Sequence, residues 1–226
     1  MTSSDTDLTL QIRGVESWQL PEGEMGEGLI LSTTRGDIEA IIHQDAERPT
    51  RKAIVWVWGA RGGFDGPGDG IYGVLAEELK GGITSLRINY RQPGVLHESV
   101  LDTLAGVSFL KAMGHTDLAL VGHSFGGAVV ISAAPLSPLV KTVVALSSQT
   151  YGASNAAEVS PRPLLLAHGA EDKRLPPRCS EMIYEWAQEP KEIVIYPEAG
   201  HSLYQCKDEL HDLVARWIVD KLNDAS

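Results

Sequence analysis

Cysteine is scarce in this chain. Its 226 residues include two, Cys179 and Cys206, too few for a disulfide framework or a zinc site. No C-x-x-C, H-E-x-x-H or phosphate-loop pattern occurs. Both thiols are expected to be free and to lie on helices, and no metal or cofactor is implied. Basic residues are also in short supply: 19 Lys and Arg stand against 30 Asp and Glu, a formal net charge of −11. That deficit argues against nucleic acid or an anionic membrane surface as partner. No apolar run reaches the length of a transmembrane helix, and no basic segment leads into an apolar one at the start. The reading is a cytoplasmic protein, monomer or homodimer, with a small molecule as its partner. There is no internal repeat and no linker, so 1–226 reads as one domain. Its first 26 residues lack periodicity and are expected to fray in part, with Trp18 packing back on the domain.

What is present is an alternation of two patterns. Residues 28–34 and 38–43 read as strands around a turn at 35–37. Residues 53–58 (AIVWVW) form a continuous apolar run, as a buried strand requires, and 83–90, 118–121, 140–146, 164–167 and 193–196 read as further strands. Between them lie helical patterns: apolar spacing at Ile71, Val74, Leu75 and Leu79, a helix over 97–113, one over 128–134 and one over 177–188. A last helix carries the stripe Leu210, Leu213, Val214, Trp217 and Ile218. Strands alternating with helices predict an α/β fold. It should have a mostly parallel, twisted sheet of about eight strands, covered by helices on both faces.

The stretch Gly122-His123-Ser124-Phe125-Gly126 is G-x-S-x-G between a strand and a helix. In that setting the pattern reads as a nucleophile elbow, a sharp turn with small neighbours that presents the serine hydroxyl. The pattern by itself is weak; a glycine-rich turn with an exposed serine would match it. The partners decide. A serine hydroxyl needs a base, and the base needs an acid to hold its tautomer. In an open parallel sheet such groups sit at the carboxyl ends of strands. Asp172 follows the strand at 164–167, with Glu171 as rival acid. His201 follows the strand at 193–196. Each alone has an ordinary reading, a solvated loop acid and a surface histidine. Together, in order, after separate strands, they are much harder to obtain by accident. His123 reads as filling beside the elbow and His168 as a structural residue at a strand end. His43, His97, His115 and His211 fall outside the expected loops.

The segments GHSFGG, HGAEDKRLP and PEAGHS resemble the three signature segments of the α/β-hydrolase superfamily, and the likeness runs over about 28–222. The layout is most similar to small lidless members of the dienelactone-hydrolase and carboxylesterase type. The resemblance implies Ser124 as nucleophile, Asp172 as acid and His201 as base. It implies an oxyanion hole from the N–H of Phe125 and that of Ala60, with Gly59 and Arg61 as near alternatives. Trp58 stands where the family usually has histidine.

A formal G-x-G-x-x-G at 68–73 is not a dinucleotide site, because it starts ten residues past the strand and no acid ends the next strand. Only 147–163 separates two strands where many relatives insert a cap, so no cap domain is expected. Trp58, Arg61, Phe64 and Tyr151 are candidate substrate-binding residues, with Tyr90, Arg91 and His123 as further wall candidates. Arg61 is a candidate clamp for a substrate carboxylate. The function read here is hydrolysis of small carboxylic esters, thioesters or lactones through an acyl-enzyme. The alternatives are a non-catalytic binding protein on the same fold, or an acyltransferase or peptidase using the same residues.

Overall fold

A computed structural model describes residues 9–225. Nine strands form one sheet in the order β1-β2-β3-β5-β4-β6-β7-β8-β9. The first three are β1 (Ile12–Trp18), β2 (Glu27–Thr33) and β3 (Gly36–His43). They pair antiparallel, and β3 (Gly36–His43) is also antiparallel to β5 (Thr84–Asn89). From β5 onward every pairing is parallel, through β4 (Lys52–Val57), β6 (Asp117–His123), β7 (Val140–Leu146), β8 (Leu164–Gly169) and β9 (Lys191–Tyr196). The helices are α1 (Pro67–Leu79), α2 (Leu96–Ala112), α3 (Phe125–Ala133), α4 (Arg178–Trp186) and α5 (Lys207–Asp224).

The apolar runs are continuous because the central strands are buried on both faces. Along β4, Ala53, Val55 and Val57 join one core with α2, α3 and α4, while Ile54 and Trp56 join the other with α1 and α5. Successive side chains point to opposite faces, so a strand under helices on both sides has no position for a solvated residue.

The sheet has nine strands rather than about eight, and the extra one is β1. It lies in the stretch expected to be irregular. Its sequence, IRGVESW, has only half-buried and exposed positions and no fully buried residue. An edge strand of that kind carries no apolar run to betray it. Trp18 ends β1 and donates its Nε1–H to the Ala40 carbonyl at 3.3 Å, so it does pack back. The fraying expected of the first seven residues lies outside the described part. Between β7 and β8 there is only a 3₁₀ turn, Ala156–Val159, so the short connection holds no cap. Among the described residues no helix is long and apolar enough to cross a membrane.

Candidate active site

Four connections leave the carboxyl ends of parallel strands and meet on one rim. After β6, the chain turns at Ser124 with φ 60° and ψ −117°. This positive φ in a non-glycine residue is the strain expected of an elbow. The flanking glycines are required by contact. A methyl group at Gly122 would sit 2.1 Å from the Gly126 carbonyl oxygen, and one at Gly126 would sit 2.3 Å from that of Trp58. The Ser124 N–H donates to the Leu146 carbonyl at 2.7 Å, which ties the turn to β7.

After β8 comes Asp172, whose side chain is wholly buried. Its Oδ1 accepts from the N–H groups of Arg174 (2.8 Å) and Leu175 (2.9 Å), and its Oδ2 accepts from His201 Nδ1–H at 2.6 Å. Burial pushes this carboxyl up. The donors from Leu175, His201 and Arg174 outweigh it and hold the carboxyl below its ordinary value. After β9 comes His201, and its Nε2 lies 3.0 Å from Ser124 Oγ. With Nδ1–H committed to a carboxylate, Nε2 carries the lone pair that faces the hydroxyl. The two loops are laced together by Ala170 N–H to the Tyr196 carbonyl (2.8 Å) and Glu171 N–H to that of Ala199 (2.9 Å). Glu171, the rival acid, is exposed, and its backbone rather than its carboxylate holds the loop.

The rim encloses a cavity of about 1100 Å³. Trp58, Ala60, Arg61, His123, Ser124, Phe125 and His201 line it. Four wall candidates do not. Tyr151 is 74% exposed and is not part of the lining. Phe64 is absent from the lining; its carbonyl accepts from Arg87 Nη1 at 3.5 Å. Tyr90 is buried, its hydroxyl donating to the Trp58 carbonyl at 3.2 Å and its ring meeting Phe125 edge-on at 5.9 Å. Arg91 is buried in an ion network. It pairs with Asp102, with Glu98 at 2.7 Å and with the Arg35 carbonyl at 2.9 Å. Tyr90 and Arg91 share a cause: a residue just past a strand end faces either the rim or the layer beneath it, and spacing does not distinguish the two.

The wall also contains Gln149, Arg174, Leu175 and Ser202, which are not among the sequence candidates, and the segment 65–70, part of the glycine-rich stretch. Residues 68–70 lie consecutively in the left-handed region, with φ of 60°, 69° and 86°. Gly68 N–H donates to the Ser202 carbonyl at 2.7 Å, joining this turn to the His201 loop. Two histidines taken as passive contact the central chain. His123 Nε2–H donates to the His201 carbonyl at 2.9 Å, and its ring packs 4.8 Å from that of His201. Burial drives the His123 pKa down to about 3, so the ring is neutral. His168, also fully buried, reaches Asp172. Cys179 is on α4 as expected, whereas Cys206 ends a 3₁₀ turn before α5; both are free thiols.

A serine, an aspartate and a histidine in that chain order, after separate strands of such a sheet, are the arrangement of the α/β-hydrolase class, and solved structures agree on the fold. Est1E from Butyrivibrio proteoclasticus superposes with a TM-score of 0.73, over 87% of this chain and 99% of that one, at 15% identity. An α/β serine hydrolase homologue from Coxiella burnetii gives 0.70 over 85% and 97%, at 21% identity. Acetyl xylan esterase 1 from Thermoanaerobacterium gives 0.70 over 92% and 87%, at 15% identity. The family is narrower than the fold. The dienelactone hydrolase family model matches residues 88–220, more than half of the 226, and the chain belongs to that family. An uncharacterised protein of Escherichia coli K12, YfhR, is 42% identical over 57 residues, 25% of this chain. The match spans a fifth (20%) of that relative's length.

Proposed function

We propose that the chain is a serine hydrolase of small carboxylic esters, thioesters or lactones, working through an acyl-enzyme on Ser124. One observation carries the reading: the hydrogen-bonded chain from Ser124 through His201 to the buried Asp172, at 3.0 and 2.6 Å, assembled from three separate strand ends. Membership of a hydrolase family supports it.

In this reading Ser124 Oγ attacks the carbonyl carbon while His201 Nε2 takes its proton, and Asp172 stabilises the imidazolium that forms. The oxyanion is met by the N–H of Phe125, at the start of α3, and by that of Ala60. The Trp58–Gly59 backbone is held against the elbow: a methyl on Gly59 would lie 3.7 Å from Ser124 Cβ. The C–O or C–S bond then breaks and His201 returns its proton to the leaving alkoxide or thiolate. Water, deprotonated by the same ring, releases the acid and restores Ser124. Trp58 and Arg61, which line the cavity, would contact the substrate in this reading.

A fluorophosphonate probe and a panel of p-nitrophenyl esters graded by acyl length test this. Wild type should be labelled and turn over the short esters. Ser124→Ala should lose the label and about 10⁴-fold or more in kcat. An unlabelled wild type, or labelling that survives in Ser124→Ala, overturns the proposal.

A further inference from the structure

His168 is the last residue but one of β8, four residues before Asp172, and its side chain is completely buried. Its Nε2 lies 3.1 Å from Asp172 Oδ2 and 2.9 Å from the Leu175 carbonyl oxygen. Both neighbours are acceptors only, so Nε2 carries the hydrogen and divides it between them. On the other side of the ring, Nδ1 lies 2.7 Å from the hydroxyl of Ser180, a fully buried residue on α4. In the neutral ring Nδ1 is an acceptor, so Ser180 donates. Burial lowers the His168 pKa, which keeps the ring neutral.

The tautomer is therefore fixed from α4, and its consequence lands on the acid. Asp172 Oδ2 receives two imidazole N–H groups, from His201 and from His168. The same His168 donor grips the Leu175 carbonyl, while Leu175 N–H returns to Asp172 Oδ1. The turn 172–175 is thus held by the Leu175 N–H on one carboxylate oxygen and by the His168 ring on the other. We propose that His168, oriented by Ser180, is a positioning residue: it fixes the rotamer of Asp172 and withdraws part of its negative charge, thereby setting how strongly Asp172 pulls on the His201 ring proton. This rests on the serine-hydrolase reading above. It concerns a residue that touches neither substrate nor Ser124.

The other titratable groups facing this pair are few: His201 and His123 from the rim, and the Cys179 thiol on α4, which feels the Asp172 charge. Removing the His168 donor leaves the carboxylate more basic. Its hydrogen bond to His201 tightens and the acid limb of kcat/KM moves up by about half a pH unit. The loosened rotamer lowers kcat by about 10- to 100-fold, with KM for p-nitrophenyl acetate unchanged, because misplacement rather than lost contact is the defect.

The test compares wild type, His168→Leu, His168→Gln and Ser180→Ala. His168→Leu should give the kcat loss and the shifted limb. His168→Gln, whose amide reaches the Nε2 position, should restore most of both. Ser180→Ala disturbs the core least and should move both in the same direction by less. It keeps the question open to decision if His168→Leu does not fold. The proton between Asp172 and His201, read by NMR without substrate, should move downfield in His168→Leu. Wild-type kcat and an unmoved limb in folded His168→Leu overturn the proposal. So does a kcat loss in His168→Gln equal to that in His168→Leu. Failure of wild type to react with fluorophosphonate is a different result and bears on the hydrolase reading alone.

Discussion

Gly126 has no room for a side chain. The carbonyl oxygens of Trp58 and Val57 lie 2.3 and 2.8 Å from where a β-carbon would be, and both belong to backbone that cannot rotate away. Gly126→Ala should cost about 1–3 kcal/mol in urea unfolding and should lower esterase kcat as well, since relief requires moving the 58–60 loop away from the elbow. Gly59→Ala is the control: its nearest contact is 3.7 Å, and its stability should stay within about 0.5 kcal/mol of wild type. A stable, active Gly126→Ala would contradict the packing described. The same residues show why this part of the site is legible in sequence. A strained serine needs small neighbours at fixed offsets, so the requirement is written locally. The work of His123 and His168 is written elsewhere. The partner of His123 is the backbone at 201, and the tautomer of His168 depends on Ser180 in a later helix. A reading residue by residue along the chain has no access to either.

At the scale of an element, α1 begins in a way helical spacing does not reveal. The expected helix starts at Ile71, and the chain before it makes a left-handed turn over Gly68, Asp69 and Gly70. Glycine adopts that conformation freely, whereas an L side chain costs roughly 1–2 kcal/mol there and Asp or Asn less than most. Asp69 also pairs with Lys207 at 3.2 Å on the surface, so charge and backbone are separable. Asp69→Asn keeps the backbone tolerance and should leave the melting temperature nearly unchanged. Asp69→Val should lower stability by about 1–2 kcal/mol. Equal losses in both would assign the effect to the ion pair instead. The element types were otherwise clear from β4 to α5, because burial on both faces forces uninterrupted apolar runs. The exception, β1, has one face against solvent along its whole length, and a half-exposed edge leaves little compositional trace.

Across the whole molecule, four histidines share a sign. His43, His115, His123 and His168 are buried, and desolvation lowers the pKa of each. Unfolding frees them to take up protons below their ordinary value near 6.5. The unfolded chain therefore binds more protons than the folded one, and stability falls as pH drops below about 6.5. For His123 the loss continues down to about pH 3. Asp172, held below its ordinary carboxyl value, adds a further loss at the acid end of that window, while Asp102, raised by burial, opposes it. Unfolding free energies from urea titrations at pH 7.5 to 4.5 should fall as the pH drops through that window. A flat profile between pH 7 and 5 would contradict four neutral buried rings. No single segment of sequence announces this, since each histidine is buried by a different pair of elements.

The span between β7 and β8, reduced to one 3₁₀ turn, has a kinetic side. In the proposed reaction, with no segment between β7 and β8 to roof the rim, bulk water would compete directly for an acyl group on Ser124, and a productive rival would have to be held there by its own contacts. Added methanol or glycerol should divert little of the product from free acid, so the balance of fates is decided by access, before any chemistry distinguishes one hydroxyl from another.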